Sequence, residues 1–259
     1  MKMGNSNLKK VSIFGGGVSI CTYESAIDEI VRLAKACESA AVAASSVHQV
    51  MEGYHDRELQ QKINQFNIVT PDGQPVRWAM NLLWDTALKD RVSGPDLTLK
   101  LCERAAKENL KIFLYGSTEP VVTAMRSNLL KQFSGLNIVG IQSPYFRELT
   151  EEEDRLDVER INNSGAHICF VGLGCPRQEK WAYAHLKKVN AVMVCVGAAF
   201  DFHAGMLARA PGWMQRYGLE WLFRLCQEPG RLWKRYLKYN SHFIYLLLKH
   251  VVKKKYIKS

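Results

Sequence analysis

The chain has 259 residues, 47% of them hydrophobic, with a formal net charge of +10. That length and apolar content suit one large α/β domain or a domain with an appendage, and exclude a disordered or fibrous chain. Seven cysteines stand singly at 21, 37, 102, 169, 175, 195 and 226, with no CxxC pair. This excludes a zinc ribbon and a disulfide scaffold and fits a reducing cytosol.

Lys9 and Lys10 precede the apolar stretch Val11 to Cys21, as in a signal peptide. Gly15 to Gly17 interrupt it and no small-residue cleavage site follows, so the stretch is read as a first strand and a turn. Six further β-branched, apolar runs follow in order: 40–45, 67–70, 111–115, 137–141, 167–172 and 191–196. Helical stretches are expected at 23–37, 49–66, 95–108, 120–133, 151–163 and 176–187. Alternation of this kind predicts an α/β fold, a Rossmann-like and largely parallel sheet covered by helices on both faces. Ligands of such sheets sit beyond the carboxyl ends of the strands.

Three strand-to-helix turns are polar and glycine-containing. The stretch 170–179, FVGLGCPRQE, turns on Gly172 and Gly174, and free N–H groups beside Arg177 and Gln178 suit a phosphate. YGSTEP at 115–120 and VGAAFD at 196–201 repeat the pattern, although glycine also serves any tight turn. TPDG at 70–73 sets Asp72 just past a strand, where an aspartate serves either as helix N-cap or as general base. No HExxH motif and no Asp-x-Asp pair is present, so no metal and no cofactor is expected, and phosphate charge falls to backbone dipoles and arginines.

The charge is placed unevenly. Residues 209–259 hold twelve Lys and Arg against Glu220 and Glu228, an excess equal to the whole net charge, and ten of the twenty-six aromatic residues. A helix starting at Pro229 and running towards Val252 would put Arg231, Arg235, Lys238, His242 and Lys249 on one side. Leu232, Trp233, Tyr236, Leu237, Phe243, Ile244, Leu247, Leu248 and Val251 take the other, with Lys253 to Lys255 following. A basic face opposite an ordered apolar face fits an anionic membrane surface, or else an ordinary helix packed on the core with a solvated basic side, and disfavours a nucleic acid as partner. A body at 1–204 and a basic, helical, membrane-associating appendage at 205–259 are the expected domains.

Taken together, TPDGQPV at 70–76, RVSGPD at 91–96, VGLGCPRQEKW at 171–181, VGAAFDF at 196–202, RAPGWM at 209–214 and GLEWLFRL at 218–225 resemble the WecG/TagA/CpsF family of bacterial glycosyltransferases, with QEPGRLW following at 227–233. The resemblance implies inverting, metal-independent transfer of a sugar from a UDP-sugar donor to a polyprenyl-diphosphate-linked sugar acceptor. It implies a cytoplasmic enzyme, peripheral on the inner face of the bacterial membrane, in surface polysaccharide synthesis. Asp72 becomes the base, Gln178 and Asp201 substrate contacts, and Arg224, Arg231 and Arg235 the diphosphate ligands, with Ser46, Tyr145, Gly172, Gly174 and Arg177 among the substrate-binding set. Where family members commonly carry Thr-x-Asn, this chain reads Ala44-Ser45-Ser46, so an N-acetylhexosamine, a hexose and a hexuronic acid stay open as the transferred sugar. A homo-oligomer also stays open. A methyltransferase or dehydrogenase would show GxGxxG at the first turn and an acid ending the second strand; Gly-Gly-Gly and Ser-Ser stand there instead.

Overall fold

The computed structural model describes residues 5–145 and 147–258, without the side chains of 255, 257 and 258. Its centre is a parallel sheet of β3 (Ala40–Ser45), β4 (Ile68–Pro71), β5 (Lys111–Gly116), β6 (Asn137–Gln142), β7 (Ile168–Gly172) and β8 (Val192–Cys195), ordered β4-β3-β8-β7-β5-β6. The strands read as unbroken apolar runs because both faces are buried. In β7, Ile168 and Phe170 enter one core while Cys169 and Val171 enter the other. In β8, Val192 and Val194 oppose Met193 and Cys195 in the same way.

The first core is closed by α1 (Tyr23–Lys35), α5 (Gly94–Lys107) and α6 (Glu119–Gln132) through Ile30, Leu33, Leu97, Leu101, Val122 and Met125. The second is closed by α3 (Arg57–Asn64), α7 (Glu151–Asn163) and α8 (Arg177–Ala184) through Leu59, Ile63, Ile161 and Ala182. Each face buries several large apolar side chains at roughly 1.5–3 kcal/mol apiece, which fixes the sheet as the platform for the loops at its carboxyl edge.

Two expectations need correction. The first apolar run does not join the sheet: β1 (Lys10–Ile13) pairs antiparallel with β2 (Gly16–Ser19) in a separate hairpin. Phe14 (φ 52°) and Gly15 (φ 93°) form its tight turn, and a Cβ at Gly15 would lie 2.7 Å from Gln60 Oε1. Of the three glycines read as a turn, Gly15 lies in it, while Gly16 and Gly17 begin β2. The expected helix at 49–66 is two, α2 (Val47–His55) and α3, because Asp56 leaves helical geometry and its carboxylate accepts from Leu59 N.

After α9 (Ala199–Ala204), the chain forms α10 (Gly212–Arg216), α11 (Glu220–Gln227) and the long α12 (Pro229–Lys258). The apolar side of α12 is divided. Leu232, Phe243 and Leu246 are buried, the last two in a third core with Phe14, Val18, Val50 and Met51 and with Met80 of α4 (Gln74–Trp84). Trp233, Leu237, Ile244, Tyr245, Leu248 and Val252 stay exposed, beside the exposed Lys234, Lys238, Lys249 and Lys253. Phe243, expected on the lipid-facing side, instead packs on the body because the hairpin, α2 and α4 leave an apolar groove that α12 fills. No described helix is long and apolar enough to cross a membrane.

Candidate active site

A cavity of about 500 Å³ opens where the carboxyl ends of β3, β4, β7 and β8 meet the C-terminal helices. The end of β3 and the start of α2 supply Ala44, Ser46 and His48; the loop after β4 supplies Asp72 and Gly73; the end of β7 and its loop supply Gly172 to Cys175; and the loop after β8 with the start of α9 supplies Val196 to Ala199. Asp201 stands on α9, Arg224 on α11, and Arg231, Arg235 and Tyr239 on α12.

Asp72 does not cap the helix that follows it. The N-cap of α4 is Gly73, at φ 96°, whereas Asp72 Oδ2 accepts from Gly94 N at 3.2 Å. Its backbone N–H donates to Ser45 O at 3.0 Å, tying the turn to β3. The carboxyl is pushed up to about 6, first by burial and then by Glu220, against the lowering effects of Arg91 and the Gly94 N–H. Arg91 is only 6% exposed and pairs with Glu220 at 2.6 Å. The base candidate thus sits beside a cation whose charge is shared with a carboxylate from α11. A second tie runs from Arg209 to Asp96 at 3.0 Å, and both Arg209 and Arg91 reach Gln215 Oε1.

The arginines of the C-terminal helices form a second cluster. Arg231 pairs with Glu228 at 2.6 Å and Arg224 with the same carboxylate at 3.7 Å. The Arg224 guanidinium lies 5.6 Å from the Phe202 ring centre. Asp201 is raised by burial, with Arg231 and Arg224 pulling it down and Glu228 pushing it up, so all four charges belong to one cluster. Arg224 Nε and Arg235 Nε are buried donors with no partner among the described residues. A pocket edge of arginines with spare donors is suited to a diphosphate.

Gly172 packs so closely that a Cβ would meet the Phe200 ring at 2.4 Å, and Gly174 holds φ 77°; both are required by the turn that brings Gln178 to the wall. Ser46 is the N-cap of α2 but its hydroxyl makes no capping bond. Two expected members stand apart. Arg177 points to solvent, and Tyr145 is 61% exposed with Arg147 over its ring; neither lines the cavity. Conversely, Gln49, Arg91, Glu179 and Glu220 line it without having been singled out. Arg91, Glu179 and Glu220 lay inside motif stretches, where a polar residue gives no sign that folding will bury it. Among the described residues no group of three or more His, Cys, Asp or Glu is arranged to hold a metal ion.

The model of the family described as "Glycosyl transferase WecG/TagA/CpsF family" matches residues 11–256. The chain belongs to the WecG/TagA/CpsF family. One relative is the N-acetylglucosaminyldiphosphoundecaprenol N-acetyl-beta-D-mannosaminyltransferase of Bacillus subtilis (strain 168), 33% identical over 201 residues, which cover 77% of this chain and 75% of the relative. The match spans the sheet, the cavity and all but the last residues of α12, so membership applies to the whole described architecture. The protein is a glycosyltransferase.

Proposed function

We propose that the protein catalyses inverting transfer of a sugar from a UDP-sugar to a polyprenyl-diphosphate-linked sugar, with Asp72 as general base. The observation that carries this reading is the position of Asp72: one oxygen is held by Gly94 N–H, and the carboxyl's proton affinity is raised towards the working range of a base. Asp72 takes the proton of the acceptor hydroxyl while that oxygen attacks the anomeric carbon. The bond from that carbon to the diphosphate breaks on the opposite face, and its electron pair leaves with UDP. Arg224, Arg231 and Arg235 meet the charge that develops on the diphosphate, the task a divalent ion performs elsewhere.

The acceptor's polyprenyl chain belongs in a bilayer. The exposed row Trp233, Leu237, Ile244, Leu248 and Val252, flanked by lysines, fits shallow insertion at an anionic membrane surface. Each basic residue adds about 1 kcal/mol there. Because Arg231 and Arg235 lie on the same helix as this row, docking brings the mouth of the cavity to the lipid-borne diphosphate. The relative's printed name describes N-acetylmannosamine transfer to a polyprenyl-diphosphate N-acetylglucosamine, and the same acceptor class is proposed here. The donor is tested by a panel of UDP-N-acetylhexosamines, UDP-hexoses and UDP-hexuronic acids against a short-chain polyprenyl-diphosphate N-acetylglucosamine. Acceptor-dependent UDP release with one donor is expected; release with none would refute the reading.

A further inference from the structure

The loop after β3 enters α2 with Gln49 in its first turn, and the loop after β7 enters α8 with Gln178 and Glu179 in its first turn. Two strands on either side of β8 thereby deliver three polar side chains to one stretch of cavity wall. All three are buried: Gln49 is 3% exposed, Gln178 4% and Glu179 1%. Gln49 Nε2 donates to Glu179 Oε1 at 3.0 Å, and Gln178 Nε2 donates to the same oxygen at 2.8 Å. The amide orientations are fixed by this, since a carboxylate oxygen accepts and does not donate.

The arrangement spends both amides on one oxygen and leaves three acceptors over. Glu179 Oε2, Gln178 Oε1 and Gln49 Oε1 are buried and without a hydrogen-bond partner among the described residues. Native structures pair nearly all such atoms, because leaving one unmade is costly. Three at one place in the wall of a substrate cavity mark groups waiting for a ligand. Gly197 has no side chain to cover them: a Cβ there would stand 3.4 Å from Gln178 Oε1. Burial raises the Glu179 carboxyl, while Gln178, its own backbone N–H, Gln49 and the Cys175 thiol, a weak donor, lower it.

The chemistry of the missing ligand follows from the atoms left open. All are acceptors and one is on a carboxyl group, which repels a phosphate and attracts O–H or N–H donors. The arginines offer donors to the diphosphate, and these open acceptors offer partners to a polyhydroxylated ring. We propose that Gln49, Gln178 and Glu179 form a subsite that reads the hydroxyls of a pyranose ring, either that of the donor or that of the accepting sugar. This rests on the transferase reading above and assigns Gln49 and Glu179, together with Gln178, to ring recognition.

Glu179→Gln tests it, because the isosteric amide keeps an oxygen for Gln49 and Gln178 and replaces the open acceptor by a donor. Binding of UDP alone, which lacks the ring, should stay within about twofold of wild type. The KM for one sugar substrate should rise about tenfold or more, the value of a hydrogen bond to a charged group. A rise for the UDP-sugar places the donor ring at the subsite, and a rise for the polyprenyl-diphosphate sugar places the acceptor ring there. A deoxy analogue lacking the hydroxyl that is read should bind wild type and variant alike, which a merely structural role would not produce. Gln49→Met, of similar volume, should raise the same KM by a smaller factor and guards against a folding defect in Glu179→Gln. Unchanged KM values in both variants, or UDP affinity falling in parallel with them, would overturn the subsite. Wild-type protein that binds no UDP-sugar would overturn the proposed donor class, on which the subsite rests, and not the subsite alone.

Discussion

Asp72→Asn should separate catalysis from stability in opposite directions. The carboxyl has an affinity of about 6 in the folded protein against about 3.9 in an unfolded chain. The folded state thus binds the proton more tightly, so stability falls as pH rises from about 4 to about 6 and stays lowered above that. Two pKa units correspond to about 3 kcal/mol at most, and water reaching the half-buried carboxyl from the cavity reduces this to about 1–2 kcal/mol. Asparagine carries no such charge, so the variant should melt at a higher temperature than wild type at pH 7.5, with the gain vanishing near pH 4. Turnover should fall by about 10²- to 10⁴-fold, the usual worth of a general base. In the wild type, kcat/KM should decline below about pH 6 as Asp72 protonates. Thermal melting and a pH series of UDP release measure both effects. A variant that turns over normally, or a wild type whose rate is flat through pH 6, would refute the reasoning.

Glu220→Gln removes a carboxylate that raises the Asp72 affinity and frees Arg91 from its 2.6 Å partner; the acidic limb should move to lower pH by up to about one unit, read from the same profile. Activity should persist in excess EDTA if the arginines alone meet the leaving charge, and loss on chelation with recovery on adding magnesium or manganese would contradict that. Arg231→Ala should lower kcat/KM about 10- to 100-fold, as expected for a charged hydrogen bond, while sedimentation with anionic liposomes changes little. The combined change of Leu237, Ile244 and Leu248 to Glu should abolish that sedimentation and leave UDP binding intact, because these side chains are exposed. Deleting α12 is a poorer test, since Phe243 and Leu246 belong to a core with Phe14 and Met80.

The sheet was legible because strands buried on both faces appear as continuous apolar runs, and the interleaved helices then dictate parallel order. The β1–β2 hairpin was not, because Gly16 and Gly17 carry no strand signal and their pairing with Ile13 and Ser12 is set by backbone alone. Periodicity revealed that α12 is two-faced, but an apolar face looks the same whether it meets protein or lipid. Only the groove between the hairpin, α2 and α4 decides that Phe243 goes inward while Ile244 stays out. For Asp72, local sequence alone favoured the cap and the family resemblance the base; the Gly94 contact and the Gly73 cap geometry remove the cap. The partnership of Arg91 with Glu220 and the junction of Gln49 with Glu179 join segments far apart in the chain. Nothing local marks a polar residue as destined for burial against another.

The anomeric configuration of the lipid-linked product, determined by NMR with UDP counted in parallel, tests the reaction most directly. Inverting transfer with Asp72 as base predicts one UDP per lipid-linked disaccharide and a new linkage of configuration opposite to the donor's. Retention of the donor configuration, or release of free sugar in place of the disaccharide, would contradict it.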